Sequence, residues 1–264
     1  MKELLVIKIG GNIIDDDKAL ASFLEDFASV NTDKILVHGG GKLATRLSTS
    51  LGIETKMEDG RRVTDEETIK VVTMAYAGWI NKNIVAKLQA KGCNALGLCG
   101  ADASVIPAVK RPVGKIDYGW VGDIESKNVN INFLSGLINQ NITPVFAPVS
   151  SDGSGNLLNI NADTIARTIA EAMSTEFETR LIYCFEKRGL LMNVEDDSTL
   201  INEINAGKVE ELKQYGVITA GMLPKIDNAL GAISGGVSEV VIGHAAHIKH
   251  IAQKQKGYGT YITA

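Results

Sequence analysis

The sequence predicts an α/β fold: an open αβα sandwich around a mainly parallel central sheet, in two lobes. Three observations predict it. Runs rich in Val, Ile and Leu recur along the chain, their apolar character is nearly continuous, and helix-like stretches separate them. Continuous apolar runs suit parallel strands covered on both faces, whereas a one-sided sheet would alternate apolar with polar. Glycine-rich turns close the first two runs, which is where open α/β sheets bind ligands.

The strand-like runs are residues 4–9, 34–38, 95–99, 143–149, 180–185 and 239–242. Helical stretches lie between them at residues 18–30, 42–51, 65–91, 131–140, 162–173, 206–214 and 221–232. Strand and helix in alternation make a three-layer arrangement the simplest solution. Residues 105–129 break the alternation. Pro107, Pro112, Gly114, Gly119 and Gly122 stand there among β-branched residues, so one or two hairpins are expected. The polar residues 174–179 mark a soft boundary, dividing 1–174 from 175–264.

A formal net charge of −4 argues against a nucleic-acid partner. The short basic stretch with Lys249, His250, Lys254 and Lys256 reads as a solvated helix face. No run of about 18 apolar residues is present, so no membrane span is expected. Met1-Lys2-Glu3 leads directly into the first strand without an apolar leader, which predicts a cytoplasmic protein. Cys93, Cys99 and Cys184 are odd in number and lack C-x-x-C spacing, so reduced thiols are expected.

The chemistry concentrates at the strand ends. Lys8-Ile9-Gly10-Gly11 closes the first run, and His38-Gly39-Gly40-Gly41 closes the second just before a helix. Glycine lets backbone N–H groups approach a ligand closely, and a helix start adds partial positive charge. Two such loops, one opening with a lysine, point to phosphate binding. Gly41-Lys42 is followed by Leu43, so this is not a Walker A loop, and no G-x-G-x-x-G follows the first strand. His244, His247 and His250 lie three apart, but steps of about 300° fan them over roughly a third of a helix. No acidic or cysteine partner accompanies them, and no metal site is assigned.

These motifs, taken with Arg62-Val63-Thr64-Asp65, Asn159-Ile160-Asn161-Ala162-Asp163 and Gly221-Met222-Leu223-Pro224-Lys225, resemble the amino-acid kinase family in order and spacing. The combination is most similar to its acetylglutamate kinase branch. The resemblance implies ATP-dependent phosphorylation of the side-chain carboxylate of an N-acyl-glutamate, in arginine biosynthesis, with Mg²⁺ carried by the nucleotide. It implies Lys8 and Lys225 as catalytic lysines bracketing the transferred phosphoryl group, with Asp163 holding both ammonium groups. Gly40, Gly41, Arg62 and Asn159 would then bind the acyl-amino acid. Gly10, Gly11, Glu186, Gly189, Gly221 and Met222 would bind the nucleotide. The acceptor would occupy the lobe of residues 1–174, which would also dimerise, and ATP the lobe of residues 175–264.

The chemistry is consistent with that assignment. A glutamate side chain with a pKa near 4.3 is already ionised at neutral pH, so the nucleophile requires no general base. One departure from the family pattern stands out: Phe185-Glu186-Lys187-Arg188-Gly189 replaces an Asp-Val-x-Gly-like turn. Two other readings stay open on the sequence, a kinase of the same fold with another small acceptor and a non-catalytic nucleotide- or amino-acid-binding module. The first strand begins near Leu4, leaving no room for the N-terminal helix of arginine-regulated hexamers in the family. A homodimer without arginine inhibition is therefore expected, pairing through residues 65–91 with Val71, Val72, Met74, Tyr76, Trp79 and Ile80.

Overall fold

The computed structural model describes residues 1–58, 60–193, 195–214 and 223–264. Among them, every expected strand enters one eight-stranded sheet. In chain order its strands are β1 (Glu3–Ile9), β2 (Asp33–His38), β3 (Ala95–Cys99), β4 (Thr143–Ala147) and β5 (Glu178–Phe185). They are followed by β6 (Glu203–Ile204), β7 (Glu239–His244) and β8 (Gly259–Ile262). Across the sheet the order is β6-β8-β7-β5-β1-β2-β4-β3. The pairs from β7 to β3 are parallel, while β8 runs antiparallel to β7 and β6 follows β8. The strand expected at residues 143–149 stops at Ala147, because Pro148 cannot donate to a ladder.

Helices cover both faces. In chain order they are α1 (Asp17–Ser29), α2 (Gly41–Ser50), α3 (Glu66–Thr73), α4 (Asn81–Gln89) and α5 (Ile131–Asn139). The remainder are α6 (Ala162–Met173), α7 (Ala206–Gln214), α8 (Leu223–Ser234) and α9 (Ile248–Ala252). The helix expected from residue 221 is thus described from Leu223. Side chains of β1 divide between two cores. Leu4 and Val6 join Ile165 and Ile169 of α6, whereas Leu5, Ile7 and Ile9 join Leu20, Phe23 and Phe27 of α1. Each such side chain contributes about 1.5–3 kcal/mol when fully buried, so both layers hold the strand in place. Successive strand side chains alternate, and Lys8 therefore falls on the α6 side with Val6.

The helix expected over residues 65–91 is not uniform. A π-helical stretch, Met74–Ile80, joins α3 to α4. The expected pairing surface also needs correction: Val71, Val72, Tyr76 and Ile80 are buried within their own lobe, leaving Met74 and Trp79 exposed. Val72, Tyr76 and Ile80 join the core on the α1 side of the sheet.

Three antiparallel ribbons stand beyond the sheet. They pair Met57–Glu58 with Arg61–Arg62, Ala108–Lys110 with Gly122–Ile124, and Val149–Ser151 with Leu157–Asn159. The second is the hairpin expected in residues 105–129. Backbone bonds sew the three together: Trp120 N–H donates to the Thr64 carbonyl (2.6 Å) and Asn159 N–H to the Trp120 carbonyl (2.9 Å). No helix among the described residues is long and apolar enough to cross a membrane. In the basic stretch, Lys254 pairs with Glu3 at 3.3 Å and Lys256 with Glu203 at 2.9 Å.

Candidate active site

The two glycine loops meet at the carboxyl end of the sheet. Gly10 follows β1 and opens a single helical turn, Gly11–Ile14. Gly39 and Gly40 follow β2, and Gly41 starts α2. Gly39 N–H donates to the Ile9 carbonyl at 3.1 Å, which ties one loop to the other. Gly40 has φ +151°, and Ile80 and Tyr76 of the π-helical stretch press against it. Only glycine adopts that backbone without strain.

A buried relay holds the second loop from below. His38 is fully buried; its Nδ1–H donates to the Gly39 carbonyl (2.8 Å) and its Nε2 accepts from Asn81 Nδ2 (3.2 Å). Asn81 Nδ2 also donates to the Val145 carbonyl at 2.9 Å. Burial pushes the imidazole pKa down to about 4, so the ring is neutral at physiological pH.

Lys8 and Asp163 meet at 2.7 Å between Nζ and Oδ1, with 9% and 23% of their side chains exposed. Asp163 lies in the first turn of α6, where Asn161 caps the helix by accepting from the Asp163 and Thr164 amides. The capping role thus falls to Asn161, which leaves the Asp163 carboxylate to the lysine. Tyr183 of β5 donates from its hydroxyl to the Asp163 carbonyl at 3.3 Å. Lys225 of α8 brings a second ammonium group, 3.8 Å from the centre of the Phe185 ring. Burial lowers the Lys225 pKa; Asp163 opposes that shift, Lys8 adds to it and Glu186 opposes it.

Two cavities flank this cluster. The larger, about 460 Å³, is lined by Gly10, Gly11, Phe185, Glu186, Gly189 and Lys225 among others. The smaller, about 230 Å³, is lined by Gly40, Gly41, Arg62 and Asn159, with Tyr76 and Arg111. Gly41 borders both. The residues expected to contact nucleotide and those expected to contact acceptor thus separate into adjacent cavities. Gly221 and Met222 lie outside the described residues.

Arg62 is buried. It donates to the Gly41 carbonyl (3.0 Å), Thr45 Oγ1 (2.9 Å) and Thr55 Oγ1 (3.2 Å), so it braces the start of α2. Asn159 Nδ2 donates to Thr64 Oγ1 at 3.0 Å. Glu186, expected at the nucleotide, is exposed at the rim. The histidines that lie three apart do come together: the His247 ring centre is 5.5 Å from that of His244 and 6.4 Å from that of His250, which stacks on Tyr258 at 4.1 Å. Among the described residues no group of three or more His, Cys, Asp or Glu has metal-binding geometry.

Four residues of the site went unread in the sequence. Tyr76 lies in the π-helical stretch and Asn81 opens α4 just after it, and nothing in the sequence of that helical region directs either toward the glycine loops. Arg111 lies on a ribbon and is fixed there by both carboxylate oxygens of Asp123, with Nε at 3.1 and 3.2 Å. Phe185 ends a strand that reads only as core.

The sequence profile of the amino acid kinase family matches residues 3–244. The chain belongs to the amino acid kinase family. Among its members, the acetylglutamate kinase of Cytophaga hutchinsonii is 53% identical over 265 residues, the full length of both chains. That of Bacteroides thetaiotaomicron is 52% identical over 248 residues, covering 94% of this chain and 96% of the relative. The crystal structure of smu.665 from Streptococcus mutans matches all of both chains with a TM-score of 0.77 at 29% identity. N-acetylglutamate synthase from Neisseria gonorrhoeae, solved with coenzyme A and N-acetyl-glutamate, gives a TM-score of 0.81 at 22% identity. It covers 99% of this chain but 59% of the synthase, a likeness of fold alone. Within this amino acid kinase, Glu186 takes an exposed rim position, while Phe185 beside it faces the lysines.

Proposed function

We infer that the protein is an ATP-dependent kinase that phosphorylates the side-chain carboxylate of N-acetyl-L-glutamate, giving an acyl phosphate and ADP in arginine biosynthesis. The observation that carries this reading is the 53% identity, over the full length of both chains, to an acetylglutamate kinase. The geometry agrees with it: two cavities of unequal size meet at the glycine loops beside two lysines.

In this reading ATP occupies the larger cavity and the acyl-glutamate the smaller. A side-chain carboxylate oxygen attacks the γ-phosphorus, the bond from that phosphorus to the bridging β–γ oxygen breaks, and ADP leaves. No proton moves in this step, because the attacking carboxylate is already ionised. Catalysis then consists of positioning and charge stabilisation. Lys8 and Lys225 neutralise charge spreading over the phosphoryl oxygens, Asp163 fixes Lys8, and the glycine-loop amides add hydrogen bonds. Mg²⁺ carried in by the nucleotide would supply further neutralisation of the polyphosphate charge. Arg62 swings its fork from Thr45 and Thr55 to the acceptor α-carboxylate, with Asn159 at the same end. Residues 1–174 hold the acceptor, and residues 175–264 hold the nucleotide together with the Gly10–Gly11 loop.

The enzyme works in the cytoplasm as a homodimer. Trp79 and Met74, 67% and 50% exposed, stand near the open edge strand β3, where Leu96 is also exposed. That apolar edge suits two-fold pairing. Light scattering checks it, with about 56 kDa expected, twice the 28.2 kDa chain.

ADP release measured with N-acetylglutamate, glutamate, aspartate and carbamate tests the activity. Turnover with N-acetylglutamate alone supports it. Preference for another acceptor, or no turnover with any, overturns it.

A further inference from the structure

Lys8 comes from β1 and Lys225 from α8, yet both ammonium groups lie within reach of one aromatic ring. Lys225 Nζ lies 3.8 Å and Lys8 Nζ 5.7 Å from the centre of the Phe185 ring. Both distances fall within the roughly 6 Å range of cation–π attraction. The ring is itself held: Phe185 packs beside Tyr183 with ring centres 6.2 Å apart and planes 25° apart, and Tyr183 donates to the Asp163 carbonyl. The two rings, Tyr183 and Phe185, thus form a strip that bonds the backbone of Asp163 and lies within cation–π range of both lysines.

Core packing alone is the plain explanation for a strand-end phenylalanine. Two features go beyond it. Phe185 is only partly buried, and it lines the larger cavity together with Lys225. The charge arrangement also gives the ring a task. Asp163 is 2.7 Å from Lys8, so its carboxylate is already engaged when Lys225 approaches. Glu186 at the rim already faces Lys225, and a further carboxylate beneath the ammonium group would cancel more of the positive charge and repel the triphosphate. An aromatic face attracts an ammonium group through its quadrupole and adds no formal charge.

We propose that Phe185 is a positioning residue that holds the Lys225 ammonium charged and aimed into the nucleotide cavity while keeping the cluster net positive for a polyphosphate. This rests on the phosphoryl-transfer reading of Lys8 and Lys225. The ionised groups facing Lys225 are Asp163 from α6, Lys8 from β1 and Glu186 from the turn after β5, while Lys42 and Lys187 line the same cavity. Burial already lowers the Lys225 pKa. Weakening the ring's attraction lowers it further, so the alkaline limb of kcat moves to lower pH.

The test replaces Phe185 by mono-, di- and trifluorophenylalanine, which weaken the quadrupole stepwise at nearly constant shape, and separately by Leu and Tyr. We expect kcat to fall progressively with fluorination, to about one-tenth at trifluoro. Phe185→Leu should shift the alkaline limb by about one pH unit, equivalent to a tenfold change, and Phe185→Tyr should restore both. Melting temperatures across the fluorinated series should stay level, which separates the effect from misfolding. A flat kcat series with an inactive Lys225→Ala variant overturns the role of Phe185 alone. Full turnover in Lys225→Ala overturns the lysine reading and this proposal with it.

Discussion

Gly40 packs so tightly on Ile80 that a Cβ at Gly40 would stand 2.2 Å from Ile80 Cδ1. The contact joins the second glycine loop to the π-helical stretch, so the loop's shape depends on a helix far along the chain. Gly40→Ala meets both a clash and a backbone at φ +151° that alanine rarely adopts. It should lower stability by about 1–3 kcal/mol and reduce kcat/KM for the acceptor at least tenfold. Chemical denaturation alongside steady-state kinetics checks this; wild-type values for both would mean the loop tolerates a side chain.

Lys8→Ala and Lys225→Ala should each lower kcat by about 10²–10³, as loss of a preorganised donor does. The KM for the acceptor should change less. Turnover within threefold of wild type in either variant would remove that lysine from the catalytic role.

Arg62→Lys should raise the acceptor KM roughly tenfold, because a point charge cannot reproduce a planar fork. The same substitution loses the contacts to Gly41, Thr45 and Thr55, so a modest fall in melting temperature should accompany it. An unchanged KM with an altered kcat would move Arg62 out of acceptor binding.

His38 predicts an acid-sensitive fold. Its folded pKa, about 4, lies below the unfolded value near 6.5. Between these values the unfolded chain binds more protons, so stability falls as pH falls. The contribution is fully present above about pH 6.5 and lost as pH falls through 4, amounting to roughly 3 kcal/mol. His38→Gln, which keeps hydrogen-bonding capacity without a titrating ring, should flatten the pH dependence of the melting temperature across this window. An equally steep profile in the variant would exclude His38 as the source.

Much of the architecture was legible in the chain because its causes are short-range. The apolar runs that became β1, β2, β3, β4, β5 and β7 needed only their own residues to be read. By contrast, β6 has two residues and β8 four, too few to show a pattern. They form because β7 offers an open edge. The π-helical Met74–Ile80 likewise looks like ordinary helix in sequence, since one extra residue per turn leaves the composition unchanged.

For the site, the division is similar. Glycines at strand ends and a lysine before them could be read locally, because they reflect what a backbone turn and a phosphate require. The chain also showed that Asp163 stands at a helix start. Its meeting with Lys8 depends on the alternation of β1 and on α6 packing over that face, which only the assembled sheet supplies. The separation of Arg62 and Asn159 from Glu186 and Gly189 into two cavities depends on the three ribbons folding over one side. Phe185 shows the limit most clearly: its identity is written in the chain, but its place beneath two ammonium groups from distant elements follows from strand order. Local propensities depend on neighbours along the backbone, whereas electrostatic contacts depend on distance in space, and that distance is decided by packing.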